Sequence, residues 1–346
     1  WPRKKQIRFT PFYVQLYDFP LLNPSDAYST SAGILLNVFN GGFRIAGQRV
    51  YEHNAYLETR YDFHHKEVGV LAGYETAEIL DDVRLGLESR YDHSVDSDER
   101  FMMGRLSLIK KMGPTVFSLD KIENDARLYY EWNREKDLAS NTYKRLKIGV
   151  ERNIDYRILS WDPMGGARLH FALEHAGRYF GANSDFIKGE LDARLYTPLW
   201  WDAHVWVNRV GVGLSHGDVF GEERFALGGR DTLRGFGDEA IRAKNILIYG
   251  TEYRFPLIDE REDSIMRNFF TFNRLNGALF YDAGVDWDRQ IHSDHIRQNV
   301  GFGIRFELTV LGFFEKTLNR FDVAFPIDGK DEEDGVRLWF DITHAF

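Results

Sequence analysis

The chain has 346 residues, 43% hydrophobic and 15% aromatic, with a mean hydropathy of -0.41 and a formal net charge of -9. No stretch reaches the roughly 18 apolar residues of a membrane helix, which excludes an α-helical membrane protein but not a β-barrel, whose polar lumen dilutes the mean. The acidic balance argues against a general nucleic-acid binder, and the absence of cysteine suits an outer-membrane protein and many soluble ones alike.

In chain order, short segments of alternating character recur about every twenty residues, separated by turn residues, as in a membrane barrel. Weaker candidates at 7–16 and 32–40 come first. In 55–62, Leu57, Thr59 and Tyr61 oppose Glu58, Arg60 and Asp62. A weaker segment at 68–74 follows, and then 83–91, where Val83, Leu85 and Leu87 oppose Arg84, Glu88 and Arg90. The segments 102–109 and 116–132 are less clean, and the latter holds one long strand or two short ones. In 145–151, Leu146, Ile148 and Val150 oppose Arg145, Lys147 and Glu151. The pattern continues through 167–175, 187–196, 203–214, 245–257, 277–287, 300–310 and 319–325.

The final strand, 336–346, is the most telling. Val336, Leu338, Phe340, Ile342, His344 and Phe346 share one face, and Arg337, Trp339, Asp341 and Thr343 fall on the other. The chain stops on an aromatic residue, as a strand that seals an outer-membrane barrel does. Counted together, these segments predict an all-β, antiparallel transmembrane barrel of about sixteen strands, a single domain over 1–346. An even count puts both termini on the periplasmic side. The loops 92–100, 177–185, 218–242, 289–298 and 328–334 then become extracellular, and 76–78, 110–114 and 198–202 become periplasmic turns. The stretch 259–275 is too long for its periplasmic place, so it is an interfacial segment or its strands extend further.

Enzyme motifs are weak. Gly213-Leu214-Ser215-His216-Gly217 matches G-x-S-x-G, but it ends a strand and lacks the following helix that a nucleophile elbow requires. His292, Asp294 and His295 lie in an exposed loop and read as solvated residues rather than metal ligands. Gly211, Gly213, Gly301 and Gly303 are strand glycines that relieve crowding or mark bends. No cofactor site, metal site or catalytic residue is expected.

The outstanding constellation runs from Leu227 to Phe236, with Gly228, Gly229, Leu233, Arg234 and Gly235 between them, in the longest predicted loop. Such a run is odd for a loop in solvent. Folded back into the barrel, it would place Arg234 in the lumen, where a desolvated guanidinium needs a partner. Glu252 and Asp282, on the lumen faces of the next two strands, can supply bidentate bonds.

These residues resemble the C-terminal barrel of the BamA-like outer-membrane assembly superfamily, which includes TamA-type and two-partner-secretion transporters. Gly228-Gly229 and Leu233-Arg234-Gly235-Phe236 are similar to its internal loop motif, with Leu233 in place of the usual Val. Glu252 and Asp282 stand at its two acidic positions, and 299–306 and 320–326 match its penultimate strand pair. The resemblance implies that Arg234 pairs with Glu252 and Asp282 to hold the loop against the inner wall. It implies a non-enzymatic barrel in the bacterial outer membrane that assists insertion or translocation of unfolded client proteins at a weak seam between first and last strands. Pro11, in the predicted first strand, would remove one ladder donor at that seam, or would merely start the strand. Implied partners are outer-membrane lipids and lipopolysaccharide, client barrels or passengers, and periplasmic accessory proteins. The acidic loop 328–334 suits divalent cations near lipopolysaccharide. Nothing before Ile7 makes the periplasmic repeats usual in the family, so an excised barrel or a member lacking them is expected. A stand-alone or partly plugged pore, and the translocator of an attached hydrolase passenger, remain the alternatives.

Overall fold

The computed structural model describes residues 7–10, 13–16, 29–37, 42–50, 54–62, 67–76, 78–80, 82–94, 99–112, 124–136, 141–158, 163–178, 182–200, 203–237, 240–258, 263–265, 270–291, 295–310, 314–327 and 335–343. Side chains are described between Val68 and Trp339, apart from Glu222, 259–273 and 307–318.

The strands are β1 (Ile7–Thr10), β2 (Tyr13–Leu16), β3 (Ser29–Asn37), β4 (Gly42–Val50), β5 (Asn54–Asp62), β6 (Glu67–Glu75) and β7 (Val83–Ser94). They continue with β8 (Arg100–Lys111), β9 (Asp125–Lys136), β10 (Thr142–Asp155), β11 (Gly166–Ala176), β12 (Phe186–Pro198) and β13 (Val205–Gly217). Then come β14 (Phe225–Leu227), β15 (Ile241–Ala243), β16 (Asn245–Ile258), β17 (Asp263–Ile265), β18 (Phe270–Trp287), β19 (Ile296–Val310), β20 (Phe314–Pro326) and β21 (Arg337–Thr343). Among the described residues nineteen of these form one sheet, and β14 and β15 pair separately. Sixteen of the nineteen run seven residues or more. Neighbours pair antiparallel in chain order, except that β16 passes over the short β17 to pair with β18. Cα atoms of β1 and β20 approach within 8 Å, so the sheet curls until its ends come near each other.

The two faces are inverted relative to a soluble sheet. Leu106, Tyr130, Trp132, Ile148, Leu173 and Phe302 lie on the outward face and are exposed. Glu131, Arg145, Lys147, Glu252, Arg305 and Asp322 lie on the inward face and are buried. Side chains alternate across a strand, so each strand contributes to both faces. An exposed apolar field this extensive marks a surface meant for lipid or for a partner.

The strand map differs from the expected one in four places. The strand expected over 7–16 is instead two short strands, β1 and β2, paired with Ile7 opposite Leu16. Pro11, placed by the sequence inside that strand, lies between them and outside the described residues. A strand not expected at all, β4, pairs with both β3 and β5. The strand sought in 116–132 is Asp125–Lys136, displaced toward the C-terminus. The long stretch 259–275 resolves because β18 starts at Phe270 and pairs with β19 as far as Val310, while β17 pairs with its first residues. At the C-terminus Phe340 and Ile342 are on β21, and His344 and Phe346 lie outside the described residues. The acidic stretch 328–334 lies outside them as well.

Candidate functional site

The connection between β13 and β16 builds the site. It holds the 3-10 turn Gly221–Glu223 and the β14–β15 hairpin, whose strands are joined by the run 228–240. The tip bonds to itself. Gly229 N donates to Phe236 O at 3.1 Å, and Phe236 N donates to Leu233 O at 3.1 Å. The Thr232 hydroxyl donates to Gly228 O at 2.6 Å. Gly228 and Gly229 have φ of 110° and 92°, a region that side chains rarely adopt, which explains the glycine pair.

The hairpin packs on the inner wall. Phe225, Leu227, Leu233 and Ala243 are buried together with Ile246 and Ile248 of β16, and Phe236 and Ile241 pack against this cluster. Gly213 on β13 makes room for it: a Cβ there would lie 2.7 Å from the Phe225 ring. Gly235 approaches the wall closely, since its own Cβ would lie 2.6 Å from Asn299 Cβ.

Arg234 follows directly from this docking. Its Nε donates to Asp282 Oδ2 and its Nη2 to Asp282 Oδ1, both at 2.8 Å. Its Nη1 donates to Glu252 Oε2 at 2.6 Å and lies 3.5 Å from Asp322 Oδ2. The guanidinium carbon stands 3.4 Å from the centroid of the Phe280 ring. Planar forks of this kind give the strongest charge-assisted hydrogen bonds, and the ring adds a cation–π contact. Burial alone would make Arg234 less basic, but Asp282, then Glu252 and Asp322, outweigh it and raise its pKa.

The wall around Arg234 is a network. Glu252 also accepts from Arg254 at 2.8 Å and Arg305 at 3.3 Å. Asp322 accepts from Arg305 at 2.5 Å and Arg320 at 2.6 Å, and Asp282 from Asn299 at 2.9 Å. Trp339 Nε1 donates to Arg234 O at 2.6 Å, which ties the last strand to the loop. The structure thus brings Arg234, Glu252 and Asp282 together. It adds Asp322, Arg305, Phe280 and Trp339, which the sequence reading did not single out. A signal for two of them was present: Arg305 and Asp322 carry opposite charges on the inward parity of adjacent strands, β19 and β20.

A second anchor was missed entirely. Glu223, on the turn of the same loop, reaches the wall of β9 and β10. Lys147 Nζ donates to its Oε1 at 3.0 Å, and Asn133 Nδ2 donates to the same oxygen at 3.0 Å. Arg145 Nη2 donates to the neighbouring Phe220 O at 3.0 Å. Lys147 also meets Glu131 at 2.8 Å and Glu174 at 3.3 Å. Burial alone would raise the Glu223 carboxyl, but Lys147, with Lys188 and Arg145 beyond it, pulls it down to about 2.

The Ser215 hydroxyl donates to Lys244 O at 2.7 Å, and β13 continues through Gly217, so no elbow forms. His295 Nδ1 lies 2.9 Å from Asp286 Oδ2, while His292 and Asp294 fall outside the described residues.

A family model for the Omp85 superfamily domain matches residues 15–346. The chain belongs to the Omp85 superfamily. Omp85 barrels are bacterial outer-membrane proteins, which accounts for the outward apolar face. BamA from Haemophilus ducreyi lacking POTRA domains 1–3 is similar in fold, with a TM-score of 0.63 and 13% identity over 96% of this chain and 69% of that one. CdiB from Escherichia coli is similar with a TM-score of 0.61 and 15% identity, over 98% of this chain and 67% of that one. CdiB from Acinetobacter baumannii is similar with a TM-score of 0.53 and 14% identity, over 92% of this chain but only 57% of that one. No curated protein matches the chain in sequence.

Proposed function

We propose that this Omp85 chain is a closed outer-membrane barrel that assists insertion or translocation of client proteins at the seam between its first and last strands. Its connection 218–244, pinned from two sides, is part of the lumen wall rather than a mobile plug. Both termini face the periplasm, and the loop enters the lumen from the extracellular end. The partners are an unfolded barrel or passenger, periplasmic accessory proteins, and the lipids of the outer membrane, lipopolysaccharide among them.

The observation that carries this reading is the contrast at the sheet's ends. Among the described residues β18, β19 and β20 have 18, 15 and 13 residues, whereas β21 has 7 and β1 and β2 have 4 each. A short terminal strand leaves unpaired backbone groups on its longer neighbour, and an incoming strand satisfies them by β-augmentation. The test uses the protein in lipid vesicles with a urea-unfolded client barrel, scored by the heat-dependent gel shift of the folded client. Faster client folding than in empty vesicles is expected. Folding at the empty-vesicle rate, with steady ohmic conductance in planar bilayers, refutes the assembly reading in favour of a pore.

A further inference from the structure

The outward face of β8, β9 and β10 reads as horizontal rows. Cross-strand register places Leu106, Tyr130 and Ile148 in one row, and Leu108, Leu128 and Val150 in the next. One row further, toward the turns after β8 and β10, come Lys110, Ala126 and Arg152. Phe171 of β11 pairs with Arg152 and closes that row. A shallow groove of about 480 Å³ runs along this corner, with Leu108, Leu128, Val150 and Phe171 as its walls and Lys110 and Arg152 at its end.

Among the described residues the cations at that end lack counter-charges. Neither Lys110 nor Arg152 has a side-chain hydrogen bond or ion pair among the described residues, and Arg152 Nη1 is shut off from solvent with no hydrogen-bond partner. The two other charged groups on the groove's edge belong to the inner face. Arg127 is bound to Asp125, and Glu151 accepts from Asn153 Nδ2 at 3.0 Å. An unpartnered guanidinium on a lipid-facing surface is costly unless something anionic meets it. Lys110 and Arg152 stand one strand either side of Ala126, so their backbones are about 10 Å apart. Two long side chains can close on one phosphate across that gap, and the small Ala126 leaves room for it.

We propose that this corner binds one anionic glycerophospholipid. The phosphate sits between Lys110 and Arg152, and an acyl chain lies along Leu108, Leu128, Val150 and Phe171. Among the described residues no carboxylate faces outward there to receive an ammonium, so a net-anionic headgroup is preferred over a zwitterionic one. The proposal rests on the outer-membrane reading above, which puts this end of the strands in the periplasmic, phospholipid-bearing leaflet. The opposite end of the same face carries Arg134 opposite Lys144, and serves as an internal control.

The test is native mass spectrometry of the full chain released from bilayers of mixed phosphatidylglycerol and phosphatidylethanolamine. The expected result is one retained phosphatidylglycerol, preferred about tenfold, as for one charge-assisted contact. Lys110→Gln with Arg152→Gln abolishes the preference, Lys110→Gln alone weakens it, and Arg134→Gln with Lys144→Gln leaves it intact. Equal retention in the Lys110/Arg152 variant, loss in the Arg134/Lys144 variant instead, or displacement by added lipopolysaccharide overturns the site. A chain that enters bilayers but shows no lipid preference overturns the site alone. A chain that does not enter bilayers overturns the membrane reading with it.

Discussion

Arg234→Ala is the sharpest perturbation of the loop, and the network around it fixes where the loss falls. Glu252 keeps Arg254 and Arg305, and Asp322 keeps Arg305 and Arg320. Asp282 loses both halves of its fork and keeps the Asn299 amide and, at 3.4 Å, the backbone N–H of residue 234. Breaking a buried pair by removing one partner costs about 3–5 kcal/mol, because a desolvated charge is left behind. The lower figure applies here. Without Arg234 the wall still holds Arg254, Arg305 and Arg320 against Glu252, Asp282 and Asp322, so the cluster left behind is formally neutral. Adding Asp282→Asn removes the orphaned charge and is expected to recover a large part of the loss, whereas adding Glu252→Gln recovers little. The measurement is a double-mutant cycle on urea midpoints in lipid vesicles, with heat resistance on semi-native gels as a second readout. An unchanged midpoint for Arg234→Ala, or an Asp282→Asn double variant no more stable than the single one, refutes the loop lock.

Three further outcomes follow from the same contacts. Glu223 is held down to about 2 from its ordinary 4.5, so its anchor is fully present above pH 4.5 and is lost as pH falls from 4.5 through 2. Pepsin cleavage of the 218–244 connection should rise across that window in the parent, and should be high and flat with pH in Glu223→Gln. Gly235→Ala forces a Cβ to within 2.6 Å of Asn299 Cβ and 3.3 Å of the Pro326 nitrogen, and is expected to destabilise the barrel by about 1–3 kcal/mol in the same urea assay. Trp339→Phe removes the donor to Arg234 O and should cost about 1–2 kcal/mol, with no change in the strand content seen by circular dichroism.

How much of this was legible depends on whether a feature is local. The alternation of β7, β10 and β11 is visible because every second residue must face lipid and the others a polar interior. β4 was invisible because Arg44 and Arg49 fall on opposite parities, which erases the period of two. β1 and β2 read as one strand because Ile7, Phe9, Tyr13 and Gln15 continue one parity through the point where the chain reverses. The Arg234 partners were legible because Glu252 and Asp282 place carboxylates on the inward parity, beside a glycine-rich loop whose Leu233-Arg234-Gly235-Phe236 run carries a cation between apolar neighbours. Glu223 had no such mark. Gly-Glu-Glu-Arg reads as a solvated turn, and its partners Asn133 and Lys147 lie 90 and 76 residues away, so only the folded sheet brings them together.

The two anchors are not equivalent, and charge decides which one lets go first. At the Glu223 end the wall offers four cations, Arg105, Arg145, Lys147 and Lys188, against the carboxylates of Glu131, Glu135 and Glu174. Glu223 brings that cluster to neutrality, and its departure would leave a buried surplus cation. At the Arg234 end the wall is already balanced, and the loop adds a surplus cation that is held by fork geometry, the Phe280 ring and the packing of Leu233. Freed from the wall, the tip would leave a neutral surface behind it. The connection should therefore open from its tip, with the Glu223 turn as the fixed point. Hydrogen exchange in vesicles should be faster for backbone amides in 229–237 than for those in 219–227. Faster exchange at the Glu223 turn than at the tip would show that electrostatic balance does not set the order.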